Sequence, residues 1–230
     1  FLLCLLSFSL VSMAQQVKLE QFKSWKPRNI GPAGMCGRIT AIDAVVADPN
    51  TIYLGAASGG VWKTINQGAS WEAVFEEQPI LNIGSIAIQQ SNPSTVWVGT
   101  GEGNPRNSIN LGAGIYKSLD GGKTWKLMGL EKTRNIHRIL IDPTNPNVIY
   151  AGVIGNPYAE QQERGVYKSM DGGKTLEQVL YIDENTGAVQ VTIDPNNTEI
   201  VFATLWAARQ GPWENGAFNG PASGLYKSVD

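Results

Sequence analysis

Short runs of Val, Ile, Tyr and Trp alternate with polar turns along most of the chain. Apolar side chains recur on one side of brief stretches: Ile83, Ile86 and Ile88; Ile136, Ile139 and Ile141; Val189, Val191 and Ile193. Such β-branched runs favour extended backbone, and the Asn-Pro and Gly-Gly pairs between them favour turns. After each run comes a second phrase: Asp48-Pro49-Asn50-Thr51-Ile52-Tyr53-Leu54-Gly55, then Asn92 to Gly99, Asn145 to Gly152, and Asp194 to Ala203. A third follows: Gly60-Val61-Trp62-Lys63-Thr64, Gly114-Ile115-Tyr116-Lys117-Ser118, Gly165-Val166-Tyr167-Lys168-Ser169 and Gly224-Leu225-Tyr226-Lys227-Ser228. The last phrase is cleanest as Ser118-Leu119-Asp120-Gly121-Gly122-Lys123-Thr124-Trp125, with Asn66 replacing Asp in the first copy and the fourth copy at Asp230.

Each unit therefore reads as strand A, a turn, strand B, a variable loop, strand C, a tight turn and strand D. One small sheet cannot bury both its faces, but copies arranged radially bury one another. The expected fold is all-β: a truncated β-propeller of four-stranded antiparallel blades, with about three and a half blades present. The blades are expected at about 39–76, 83–130, 136–182 and 188–230, after a lead-in over 15–38 that could supply a ring-closing strand. The Asn66, Asp120, Asp171 and Asp230 side chains are expected to brace their own turns by accepting backbone N–H groups.

Charge and cysteine content narrow the function. The net charge is -2 and no basic stripe runs through the chain, so nucleic acid is not expected as a partner. The apolar run from Leu2 to Val11, followed by Ser12-Met13-Ala14, reads as an export signal over 1–14 that lacks its true start. It is too short for a transmembrane span. The expected location is secreted, periplasmic or cell-surface. Cys4 leaves with the signal, so Cys36 has no cysteine to pair with. Neither metal nor cofactor is expected, because Cys36 and the lone His137 supply too few ligands.

The Ser-x-Asp-x-Gly-x-Thr-Trp phrase resembles the bacterial neuraminidase repeat, or Asp box, found in sialidases, xyloglucanases and the sortilin receptor propeller. The order of the phrases looks most like bacterial sortilin-like, or glycosyl-hydrolase-like, repeat proteins. Trp25 to Pro32 and Gly101 to Asn107 strengthen that resemblance, which extends from about residue 20 onward. It implies an exported bacterial propeller whose further blades belong to the same full-length chain. The xyloglucanase Asp before the strand-C Gly-Gly is replaced here by Ala57-Ser58, and Arg38-Ile39-Thr40 only partly matches the Arg-Ile-Pro phrase of sialidases.

In such blades the B–C and D–A loops share one end, opposite the Asp-box turns. The candidate binding residues are Glu102, Asn104, Arg106, Arg134, His137, Trp206, Arg209 and Trp213. Aromatics beside carboxylates and arginines suit a glycan, peptide or protein ligand. Glu102 and Glu214 are the candidates for a catalytic carboxylate pair. Glu102 could instead pair with Arg106 and brace its Gly-rich loop. The leading expectation is a non-enzymatic binding scaffold, and the alternative is a sialidase- or xyloglucanase-like glycoside hydrolase.

Overall fold

The computed structural model describes residues 38–104, 106, 108–210 and 219–229, with Lys18, Glu20 and Ser24 besides. The chain divides into Phe1–Gly31 and Pro32–Asp230. The first unit has only those three isolated positions described, and the second carries the fold. The expected export signal, Cys36, Trp213, Glu214 and Asp230 lie outside the described residues.

Three of the repeats fold into the same four-stranded antiparallel meander. Blade 1 is β1 (Ile39–Ala44), β2 (Ile52–Ala56), β3 (Gly60–Thr64) and β4 (Glu72–Ala73). Blade 2 is β5 (Ile83–Ile88), β6 (Val96–Thr100), β7 (Ile115–Ser118) and β8 (Lys126–Gly129). Blade 3 is β9 (Ile136–Ile141), β10 (Ile149–Val153), β11 (Gly165–Ser169) and β12 (Glu177–Leu180). Blade 4 shows three strands among the described residues: β13 (Thr186–Asp194), β14 (Asn197–Ala207) and β15 (Gly224–Ser228). The fold is an all-β series of propeller blades.

Consecutive sheets pack face to face through their apolar side chains. Val45, Tyr53 and Val61 of blade 1 meet Ile83, Ile86 and Val98 of blade 2. Trp97 and Ile115 meet Ile136, Ile139 and Ile149. Tyr150 and Val166 meet Ala188, Val191 and Leu205. The A strands β1, β5, β9 and β13 lie side by side. Each has a β-bulge near its start, whose extra residue is Thr40, Gly84, His137 or Val189. Polar groups stitch this layer: the Thr40 hydroxyl donates to the Ile83 carbonyl at 2.6 Å, and Ile139 N–H donates to Ser85 Oγ at 2.8 Å. The glycine ending strand B has a steric cause. A Cβ on Gly99 would lie 2.7 Å from Ile136 Cγ2, so only glycine lets the next blade approach.

The C–D turns are braced by side-chain hydrogen bonds. Asp120 Oδ1 accepts the Thr124 N–H at 2.9 Å and Oδ2 accepts its hydroxyl at 2.6 Å, while Ser118 Oγ accepts the Gly122 N–H at 2.8 Å. Asp171 and Ser169 repeat the arrangement with Thr175 and Gly173. Asn66 does so in the first blade with its single oxygen, accepting the Ser70 N–H at 2.9 Å. Gly121 and Gly122 take positive φ (72° and 93°), as do Gly172 and Gly173 (73° and 89°).

These turns also reach beyond their own blade. Lys63 of β3 donates to the carbonyl of Gly121 in blade 2 at 2.9 Å, and the Tyr53 hydroxyl donates to the same carbonyl at 3.0 Å. Lys117 of β7 donates likewise to Gly172 in blade 3 at 3.1 Å. Both lysines lie over the strand-B ring of their own sheet: Lys63 over Tyr53 at 5.3 Å and Lys117 over Trp97 at 4.7 Å. The ring that closes the turn reaches backward too. The Trp125 indole N–H donates to the Val74 carbonyl at 2.6 Å, and its ring meets Phe75 edge-on, with centroids 5.1 Å apart.

Candidate functional site

Two ends of the blades are distinguished by their hydrogen bonds. At one end the A–B and C–D turns meet, as where Gly121 N–H donates to the Ser94 carbonyl and Gly172 N–H to that of Asn147. At the other end the B–C and D–A loops form a continuous network. The Tyr158 hydroxyl of blade 3 bonds Ile109 of blade 2, and Gln210 N–H of blade 4 donates to the Pro157 carbonyl of blade 3. The candidate binding residues described here gather at this second end.

Asparagines organise these loops from just before the A strands. Asn82, Asn135 and Asn185 accept, through their carbonyls, the N–H groups of Gly101, Ile154 and Ala208 at the ends of strands B. Asn82 Nδ2 donates to the Leu111 carbonyl at 2.8 Å, and Asn135 Nδ2 donates to that of Glu102. Asn82 and Asn185 were not singled out from the sequence, although an asparagine recurs ahead of three successive A strands.

Glu102 is fully buried. Its Oε1 accepts Arg38 Nε at 2.9 Å, and its Oε2 accepts Arg38 Nη2. The expected pairing with Arg106 is corrected: Arg38 is the partner, reached from the start of the first blade, and Arg106 is exposed. This fork-to-fork geometry engages both carboxylate oxygens. Among the described residues both Glu102 oxygens are thus held by Arg38 and the side chain is buried.

His137, the bulge residue of β9, packs against the backbone of Gly103, where a Cβ would lie 2.3 Å from its Nδ1. That nitrogen is buried without a hydrogen-bond partner among the described residues, as is Nε of the adjacent Arg138. Burial pushes the imidazole below its ordinary 6.5, Arg138 adds to the shift, and Glu102 opposes it. Arg164 is fully buried and donates to the carbonyls of Ile154, Asn156 and Ala159, which folds the blade 3 loop around its guanidinium. Burial, with Arg209 nearby, lowers its pKa to about 10.

The remaining candidates are distributed over the loop surface. Asn104 is half-buried and Arg134 is exposed. Arg209 donates to Asn185 Oδ1 at 2.9 Å, and its Nη1 lies 4.0 Å from Glu160. Trp206 is half-buried against Ile154, Val189 and Ala208. An open cleft of about 320 Å³ lies between the blade 2 and blade 3 loops, lined in part by Arg134, Asn156 and Glu160. Among the described residues no group of three His, Cys, Asp or Glu side chains is placed to hold a metal ion. No described helix is long and apolar enough to cross a membrane.

No protein-family profile matches the chain. Two fungal proteins are similar to it in sequence. A xyloglucanase of Hypocrea jecorina is 27% identical over 173 residues, covering 68% of this chain and 19% of that protein. A probable oligoxyloglucan-reducing end-specific xyloglucanase of Neosartorya fischeri is 24% identical over 171 residues, covering 71% of this chain and 19% of that protein. Among solved structures, a GH74 enzyme of Niastella koreensis superposes with a TM-score of 0.59 at 21% identity, over 82% of this chain and 28% of that one. The chain thus shares the β-propeller fold of these glycoside-hydrolase-like proteins and spans about a fifth of the length of the two curated relatives.

Proposed function

We propose that this chain contributes blades to an exported, Asp-box, sortilin-like propeller that binds a polysaccharide across its loop end without hydrolysing it there. The observation that carries this reading is the state of Glu102. A general acid must reach the scissile oxygen to protonate it, and Glu102 is fully buried with both carboxylate oxygens bonded to Arg38. What the loop end offers instead is exposed Arg134 and Glu160 with the partly exposed rings of Tyr158 and Trp206, polar and aromatic groups of the kind that line ligand sites. The two curated relatives are xyloglucanases by name, which favours a plant-type polysaccharide over a peptide. Export is supported by the apolar run from Leu2 to Val11 and the small residues after it.

The test is affinity electrophoresis of the full-length protein in gels containing xyloglucan, glucomannan or polygalacturonate, beside an assay for newly released reducing ends. Retardation by a polysaccharide without release of reducing ends is expected. Turnover abolished by Glu102→Gln or Glu214→Gln would replace this reading with the glycoside-hydrolase alternative, which the names of the relatives favour. Failure of every polysaccharide to retard the protein would remove the glycan reading altogether.

A further inference from the structure

We infer that Tyr158 and the cleft lined by its loop neighbours Asn156 and Glu160 form a subsite for a neutral sugar ring, an assignment that rests on the polysaccharide reading above. Tyr158 is 41% exposed, yet its hydroxyl is doubly engaged. It donates to the Ile109 carbonyl at 3.0 Å and accepts the Ile109 N–H at 3.0 Å. An exposed tyrosine ordinarily turns its polar tip to water. Here the tip is spent on the neighbouring blade and part of the apolar ring meets solvent instead. A ring held in this way is ordered before any ligand arrives, so little conformational freedom is lost on binding. The C–H face of a pyranose is the natural partner for such a surface, because it buries apolar area while its hydroxyls stay at the edge.

The polar half of the subsite comes from residues that flank Tyr158 in its own loop and from the connection between blades 2 and 3. Asn156 accepts the Tyr158 N–H at 3.0 Å and lines the cleft, as Glu160 does two residues further on. Glu131 and Glu163 add carboxylates, while Lys132 and Arg134 add donors. Gln161 ties the walls together: its Oε1 accepts the Asn156 N–H at 2.7 Å and its Nε2 donates to the Lys132 carbonyl. Sugar hydroxyls donate and accept, so a lining of both kinds serves them. Three carboxylates against two cations disfavour an anionic ligand.

A separate feature points to the same place. Arg134 has φ 65° and ψ -89°, outside the regions open to a side-chain-bearing residue. Its carbonyl is wedged where Cβ atoms on Gly101 and Gly112 would come within 2.7 and 2.4 Å. Glycine would meet this backbone without strain, yet the position carries an exposed arginine at the cleft. Strain of this kind is maintained where the side chain has a task.

The experiment uses the full-length protein with xyloglucan and glucomannan as neutral probes and polygalacturonate as the acidic one. Tyr158→Ala should weaken retardation by a neutral polysaccharide about tenfold, and Tyr158→Phe, which keeps the ring, about twofold. Arg134→Gly should raise the melting temperature while weakening binding, a combination that a merely structural arginine does not produce. It also keeps the test decisive if Tyr158→Ala fails to fold. Neutral-glycan binding unchanged in Tyr158→Ala and Arg134→Gly would overturn the subsite and leave the polysaccharide reading standing. Tighter binding of polygalacturonate than of either neutral probe would overturn the assignment of ligand charge. Binding of none of the three would overturn both readings.

Discussion

Asp120 and Asp171 receive more hydrogen bonds than an ordinary surface carboxylate. The Thr124 hydroxyl and N–H, with Ser118 Oγ–H, hold Asp120 at about 2, against an ordinary 3.8. The Thr175 N–H is the largest of the groups acting on Asp171, also at about 2. A depressed native value means that the unfolded chain binds more protons across that interval. The stabilisation is therefore complete above about pH 4 and is lost as the pH falls toward 2. Carboxyl-carbon NMR titration should give midpoints near 2 for both residues, and midpoints near 3.8 would contradict the bonding described. These turns were legible because donors and acceptor lie within five residues of one another. The Arg38–Glu102 pair was not, since its members are 64 residues apart and nothing local in either phrase names the other.

The lysine of strand C shows what a repeat conceals at the level of elements. Its recurrence at Lys63, Lys117 and Lys168 was plain in the sequence, but its use was not, because the carbonyl it seeks belongs to the following blade. Replacing Lys117 by Met keeps the aliphatic stem and removes two interactions, the bond to the Gly172 carbonyl and the charge above Trp97. A loss of about 1–2 kcal/mol is expected, read as a lower midpoint of chemical denaturation. No change in midpoint would mean that the contact is incidental. The strand glycines were similarly visible as a pattern, while their cause lies in the Ile83 and Ile136 side chains of adjoining sheets.

Across the whole second unit, protection from solvent is uneven in a way that should govern its motions. Every residue of β5, β6 and β10 is buried, whereas β12 is largely exposed. Amide hydrogen exchange should be slowest in β5, β6 and β10 and markedly faster in β12, because local opening follows buried contact. Equal rates across all four strands would indicate one all-or-none opening.

The clasp between a turn and the sheet before it has a consequence for descent. Any gene segment encoding one repeat specifies both a hook and the socket that receives the next hook. Tandem copying therefore yields units that already fit their neighbours, and such a lineage can lengthen or shorten by whole units while the opposite rim diverges freely.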